Sequence, residues 1–275
     1  MIKCIPMRYF IKIYGCAMNT ADAEKIAGWY DQRGWKPAKN IEEADEIVIV
    51  TCSVRQTAED RVYGFVNNLL KLKVQNSKCK VTVGSSKLKK PKIILTGSMM
   101  RYPLKWLKDK MPDVDEFKKI SEYPSSYSCP SVFSKALVSI MEGCNNFCSY
   151  CVVPYARGQE VSRTFNEIVC EVRELAERGC KEIVLLGQNV NSYGKTNVQC
   201  KMYNVQFKTP FALLLSVLHE IKGIEKISFL TSNPWDLDDE IIEAMGLPKI
   251  DRYLHLPVQS GDDEILHKMN RHYTA

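Results

Sequence analysis

One pattern constrains this chain more than any other: short apolar, β-rich runs alternate with amphipathic helical stretches along nearly its whole length. Tyr9–Tyr14, Glu46–Thr51 and Lys92–Thr96 read as strands. Each is followed by a helical segment, over about Thr20–Arg33, Val54–Leu72 and Pro103–Met111. Runs of this kind, apolar on both faces and separated by helices, predict a parallel sheet covered by helices.

The same alternation continues in the second half. Strands are predicted over Ala136–Met141, Glu182–Leu186, Lys226–Leu230 and Tyr253–Val258. Helices are predicted over Asn166–Arg178, Phe211–Lys222, Asp236–Met245 and Asp262–Asn270, with Gly179 and Gly223 as stop signals. Four consecutive β/α units suggest part of a barrel, because four strands do not close one. Between the halves, Ser121–Ser134 is rich in Ser and Pro and reads as a linker dividing the chain near residue 130. Lys73–Lys92 shows no period and reads as an exposed, lysine-rich loop.

At 275 residues the chain has room for about two domains of ~100–200 residues. It carries no run of eighteen apolar residues and no signal-peptide pattern at Met1–Arg8, so a cytoplasmic protein with no membrane span is expected. Its net charge of +6 is uneven. Residues 71–119 hold fourteen Lys or Arg against four acids, which leaves 24 basic and 28 acidic residues elsewhere. A local polyanion contact is one reading of that segment, and a solvated loop is the other.

Eleven cysteines in a chain of this class point to metal or redox chemistry more than to a disulfide scaffold. In parallel sheets ligands collect beyond the carboxyl ends of the strands. Cys16 and Cys52 fall just past the first and second strands, and Ser98 falls just past the third. A shared metal site is expected there, with two buried core cysteines as the plainer reading.

After the first strand of the second half comes Gly143-Cys144-Asn145-Asn146-Phe147-Cys148-Ser149-Tyr150-Cys151, a C-x3-C-x2-C spacing. Three thiolates on a tight loop can take three corners of an iron–sulfur cube and leave one iron open. A zinc knuckle would need a fourth ligand, and no His or Cys follows at that spacing.

This spacing after a first β/α strand resembles the radical S-adenosylmethionine (SAM) superfamily. The flanking text resembles its MiaB-type tRNA methylthiotransferases: Ser139-Ile140-Met141-Glu142-Gly143-Cys144-Asn145, Val152-Val153-Pro154-Tyr155-Ala156-Arg157-Gly158 and Glu160-Val161-Ser162-Arg163. So do Gly187-Gln188-Asn189-Val190-Asn191-Ser192-Tyr193-Gly194 and His255-Leu256-Pro257-Val258-Gln259-Ser260-Gly261. Tyr14-Gly15-Cys16-Ala17-Met18-Asn19 and Thr51-Cys52-Ser53-Val54-Arg55 are similar to that family's amino-terminal domain.

The resemblance implies an α/β fold, with an N-terminal three-layer parallel-sheet domain over 1–130 followed by an incomplete radical SAM (β/α) barrel over 131–275. It implies that Cys144, Cys148 and Cys151 hold a 4Fe–4S cluster whose open iron chelates SAM. One electron would then cleave SAM to a 5′-deoxyadenosyl radical, directed at C2 of N6-isopentenyladenosine beside the tRNA anticodon. Phe147 and Tyr150 would cover the cluster. Gln188, Asn189 and Arg163 would contact cofactor, although loop hydrogen bonds or ion pairs account for such side chains, and for Arg157, equally well. The implied partners are the tRNA anticodon stem-loop and a reductant such as a flavodoxin or ferredoxin, with the chain a monomer.

Two departures stand out. The family's amino-terminal domain binds a second 4Fe–4S cluster through three cysteines. Cys16 and Cys52 match two of them, but Ser98 stands at the third, and a hydroxyl is a poorer iron ligand than a thiolate. A weakened auxiliary site is expected, or a substitute ligand in Cys79. The family also continues past residue 275 into further barrel strands and a small RNA-binding β-barrel, so a fragment, truncated or split protein is expected. Rival functions are methylthiolation of threonylcarbamoyladenosine, a non-catalytic tRNA-binding remnant that uses Lys87, Lys89, Lys90 and Lys92, and an iron–sulfur electron carrier.

Overall fold

A computed structural model describes residues 6–78, 91–123, 134–195 and 207–275. The chain divides into two compact units, Met1–Ser128 and Cys129–Ala275.

In the first unit the strands are β1 (Arg8–Ile13), β2 (Lys36–Pro37), β3 (Glu46–Thr51), β4 (Lys92–Gly97) and β5 (Glu116–Phe117). The helices are α1 (Ala17–Asp31), α2 (Gln56–Lys78) and α3 (Leu104–Lys110). All pairings are parallel, in the order β2-β1-β3-β4-β5. Alternate residues of β3 feed opposite faces. Ile47 and Ile49 pack with Val62, Val66 and Leu107 from α2 and α3, while Val48 and Val50 pack with Ala23, Ile26 and Tyr30 from α1. Two apolar layers on one sheet make three layers in all, which is why β3 and β4 tolerate no polar alternation.

The two short outer strands carry no apolar run and escape a periodicity search. Helix α2 runs through Lys78, past the predicted start of a loop at Lys73, because no Gly or Pro interrupts residues 65–83. The remainder of that loop up to residue 90, with Cys79 and Lys87–Lys90, lies outside the described residues, as does the linker over 124–133.

In the second unit the strands are β6 (Lys135–Ser139), β7 (Met141–Glu142), β8 (Val161–Ser162), β9 (Glu182–Leu186) and β10 (Lys226–Phe229). The helices are α4 (Val153–Arg157), α5 (Phe165–Glu177), α6 (Pro210–His219), α7 (Asp239–Met245) and α8 (Asp263–Lys268). Strands β10, β9 and β6 form a parallel sheet in that order, and β7 and β8 pair antiparallel beside it. One core unites the three-stranded sheet with α5, α6 and α7, through residues such as Val172, Leu185, Leu214 and Ile241. Helix starts follow the capping rules: Thr164 and Glu167 bond reciprocally at α5, and Asp238 and Asp262 accept from the first turns of α7 and α8.

The strand predicted over Tyr253–Val258 is not formed. Just before this segment Ile250 bridges Ile227 of β10, and past the end of β10 the Ser232 amide donates to the His255 carbonyl. Tyr253 and Val258 are exposed and Pro257 lacks an amide, so nothing locks the run into a ladder.

Candidate metal centre

At the carboxyl end of the first unit's sheet, Thr51 ties the strand ends together. Its hydroxyl donates to the Thr96 carbonyl at 2.6 Å and accepts from the Met99 amide at 3.1 Å. Asn19 Nδ2 donates to the Thr51 carbonyl at 2.9 Å, and Asn19 Oδ1 accepts from the Cys16 amide at 3.2 Å at the start of α1. Because Thr51 and Gly97 share a register, Cys52 and Ser98 leave their strands side by side. Gly97 has φ +93°, and a Cβ there would come within 2.4 Å of the Thr51 carbonyl, so only glycine admits the turn into Ser98.

Cys16, Cys52 and Ser98 thus share one strand-end region, with Cys16 exposed and the other two buried. Their donor set is two soft thiols and one hard hydroxyl, which does not fit a three-thiolate iron–sulfur cluster. We predict that Thr51→Val destabilises the fold by about 1–3 kcal/mol, because it strips the Met99 amide of its acceptor in a site with no water access. Chemical denaturation measures this, and a change below about 0.5 kcal/mol would contradict the assigned role.

In the second unit the cysteine loop hangs between β7 and α4. Gly143 opens it at φ +81°, where a Cβ would lie 2.1 Å from the Gln159 carbonyl oxygen. The Gly143 amide donates to Gln188 Oε1 at 2.5 Å, and the Cys144 amide donates to the Gly158 carbonyl at 3.3 Å. Cys144 is buried, and Cys148 and Cys151 are half-buried. Burial pushes the Cys144 thiol up to about 11, and the neighbouring Cys151 and Cys148 push it the same way. Burial likewise raises Cys151, with Cys148 adding to the shift.

Burial and a neighbouring thiol disfavour the thiolates of Cys144 and Cys151, an effect that a bound cation would reverse. Among the described residues, no three His, Cys, Asp or Glu side chains stand at metal-ligand spacing. The loop therefore gathers the thiols without drawing them to ligand distance. Three soft donors on one partly buried loop do fit an iron–sulfur group.

The loops after β9 and β10 face each other in a buried polar network. Asn191 Nδ2 donates to the Asn233 carbonyl at 2.7 Å, and the Asn233 amide returns a bond to Asn191 Oδ1 at 2.9 Å. Asn189 Nδ2 donates to Asp236 at 2.6 Å, and Asp236 also accepts from Lys195 at 2.8 Å. Three buried acceptor or hydroxyl oxygens here have no partner among the described residues: Asn189 Oδ1, Ser232 Oγ and Asn233 Oδ1. Buried polar atoms are almost always satisfied, so such a cluster at strand ends calls for a polar ligand. Thr231 holds φ +70°, a strained setting for a β-branched residue and one common at functional sites.

Of the remaining residues singled out in the sequence, Gln188 supports the cysteine loop and Asn189 sits in the network just described. Arg163 bonds Glu171 at 2.7 Å and the Ser139 carbonyl at 2.6 Å, and Arg157 pairs with Glu142 at 3.1 Å. Phe147 and Tyr150 are about half exposed, Phe147 meeting Tyr155 edge to face at 6.1 Å. Sequence reasoning missed Ser232, Asn233 and Arg271. The run Thr231-Ser232-Asn233-Pro234, polar and directly past a strand, was the available signal for the first two.

Residues 8–117 match the uncharacterized protein family UPF0004, and residues 138–275 match the radical SAM superfamily. The tRNA-2-methylthio-N(6)-dimethylallyladenosine synthase of a Thermoanaerobacter species is 42% identical over 288 residues, covering 97% of this chain and 59% of that protein. The enzyme of the same name from Clostridium botulinum is 41% identical, covering 96% of this chain and 61% of its own length. The chain thus spans about three fifths of the curated relatives it matches.

Among solved structures, the radical S-adenosylmethionine methyltransferase TsrM from Kitasatospora setae aligns with a TM-score of 0.61 at 10% identity, over 98% of this chain and 65% of that one. The cobalamin-dependent enzyme OxsB aligns at 0.56 with 9% identity, over 98% and 46%. These likenesses speak to the fold alone. With half of its length matched by that superfamily and its cysteine loop at the carboxyl end of a β/α sheet, the chain belongs to the radical SAM superfamily.

Proposed function

We propose that this chain, which spans about three fifths of the length of its curated relatives, acts in tRNA methylthiolation at C2 of N6-isopentenyladenosine beside the anticodon. The observation that carries the reading is the cysteine loop. It stands past the carboxyl end of β6, in the unit whose β9 and β10 loops bury three oxygens with no partner among the described residues.

Cys144, Cys148 and Cys151 would hold a 4Fe–4S cluster, which supplies a single electron for reductive cleavage of bound SAM. Asn189, Ser232 and Asn233 would bind polar groups of SAM, since their buried oxygens await donors. Gln188 keeps the loop closed through the Gly143 amide, and Arg163 fixes the turn after β8 through Glu171. Phe147 and Tyr150 would exclude water over the thiols. Residues 1–130 would form the methylthiotransferase domain and 131–275 the radical SAM domain. The auxiliary site of Cys16, Cys52 and Ser98 takes no step in this account.

The names of the relatives support the substrate, and no helix among the described residues is long and apolar enough to cross a membrane. A cytoplasmic monomer served by a flavodoxin- or ferredoxin-type donor completes the proposal. Anaerobic reconstitution, reduction and chromatography test it. The expected result is SAM cleavage, with methylthiolation detected by mass spectrometry only in tRNA that bears isopentenyladenosine. A reconstituted, reduced chain that leaves SAM intact would overturn it, and product on threonylcarbamoyladenosine would reassign the substrate.

A further inference from the structure

The cysteine loop is gripped by a segment more than a hundred residues away in sequence. The Met269 carbonyl accepts from the Ser149 amide at 3.1 Å. Asn270 Nδ2 donates to the carbonyls of Asn146 and Phe147 at 3.0 and 3.1 Å. Arg271 Nη1 donates to Cys148 Sγ at 3.5 Å. Three consecutive residues therefore hold four consecutive residues of the loop.

The geometry of the grip is specific. Asn270 has φ +55°, a left-handed setting that asparagine tolerates, and it turns the chain out of α8 so that Arg271 reverses toward the thiols. Phe147, one of the residues clasped, is itself at φ +47°. Arg271 is only 9% exposed. Its Nη2 donates to the Pro257 carbonyl at 2.9 Å, and its guanidinium lies 4.6 Å from the centre of the Trp235 ring. With Nη2 on that carbonyl, Nε donating to the Tyr273 hydroxyl at 3.4 Å and an aromatic face against its plane, the guanidinium turns Nη1 toward Cys148.

The three thiols are not treated alike. Cys144 and Cys151 receive backbone amides, from Asn146 and Val153. Cys148 instead receives the Arg271 guanidinium, together with the Tyr150 hydroxyl.

We infer that Met269–Arg271 is a clasp that pre-shapes the cysteine loop, and that Arg271 is a positioning residue for Cys148 that also donates to its sulfur once metal is bound. The inference rests on reading Cys148 as a cluster ligand. Hydrogen bonds and positive charge at cluster sulfurs stabilise the added electron and raise the reduction potential. A clasp formed before metal arrives also lowers the ordering cost of binding and slows release.

The test uses the whole 275-residue chain, reconstituted anaerobically with iron and sulfide, as wild type, Arg271→Met, Arg271→Lys and Asn270→Gly. Iron release to a chelator and the midpoint potential by spectroelectrochemistry are the two readouts. In Arg271→Met the release should quicken several-fold. Its reduced-to-oxidised ratio at fixed potential should fall about tenfold, equal to about 59 mV for a one-electron couple. Arg271→Lys keeps the charge and should recover part of the potential without the slow release. Asn270→Gly keeps the left-handed turn and should quicken release while leaving the potential in place.

Release and potential in Arg271→Met indistinguishable from wild type would overturn the role of Arg271 while leaving the cysteine reading intact. Should Arg271→Met fail to fold, wild-type release from Asn270→Gly would overturn the clasp, and wild-type behaviour on both readouts in Arg271→Lys would overturn the fork geometry. A wild-type chain that takes up no cluster overturns both readings together.

Discussion

Replacing Cys144, Cys148 and Cys151 together by alanine removes about four irons and four sulfides per chain from the anaerobically reconstituted protein. The three thiols share one loop, so their joint replacement strips that loop of every soft donor. The remainder is the informative number. A fall from about four to none means that the donor set of Cys16, Cys52 and Ser98 holds no cluster, as hard oxygen among soft thiols suggests. A fall from about eight to about four means that the strand-end site of the first unit works without a third thiolate. Retention of all iron by the triple variant would remove the loop from the cofactor chemistry altogether. Circular dichroism of the apoproteins keeps the comparison independent of folding, since alanine is smaller than cysteine and introduces no clash.

Gly143→Ala is expected to be the most damaging single substitution in that loop. The left-handed φ of +81° alone costs an L-residue about 1–2 kcal/mol. The added methyl would also sit 2.1 Å from the Gln159 carbonyl oxygen and 2.7 Å from that of Gly158, and backbone cannot rotate away. The loop must open, which breaks the Gly143–Gln188 bond and displaces Cys144. Gly158→Ala is the matched control, with φ +83° and nothing within 4 Å of a new Cβ. Both variants should melt lower than wild type, Gly158→Ala by about 2–8 °C. Gly143→Ala should melt lower still and lose iron faster after reconstitution. Equal melting temperatures for the two would show that the crowding at Gly143 is relieved elsewhere.

Particular residues show why some of the architecture was legible in the sequence. Glu46–Thr51 and Glu182–Leu186 are strands at the predicted bounds, because an uninterrupted apolar run between helical segments has few other places to go. The C-x3-C-x2-C spacing is local, so it marks its loop without reference to the fold. What the sequence hid is set by distance. Arg271 reaches Cys148 across 123 positions, and Asn191 meets Asn233 across 42, and neither separation leaves a period or a spacing to read. The run Tyr253–Val258 looked like a strand because side-chain type was judged without knowing what stood beside it. Lys36–Pro37 and Glu116–Phe117 pair only because longer strands supply the ladder.

Those two outer strands bear on how the first unit behaves in a crowded solution. The inner sequence Glu46-Ile47-Val48-Ile49-Val50-Thr51 is the kind of segment that stacks into cross-β fibres once its backbone is bare. In the folded unit it is sealed between β1 and β4, and the exposed rims are only two residues long. One rim carries Pro37, which offers no amide to an arriving strand, and both carry charge, at Lys36 and Glu116. Local fraying at either rim would uncover Arg8–Ile13 or Lys92–Gly97 as long, apolar edges. The smallest strands of the unit are thus its guard against self-association.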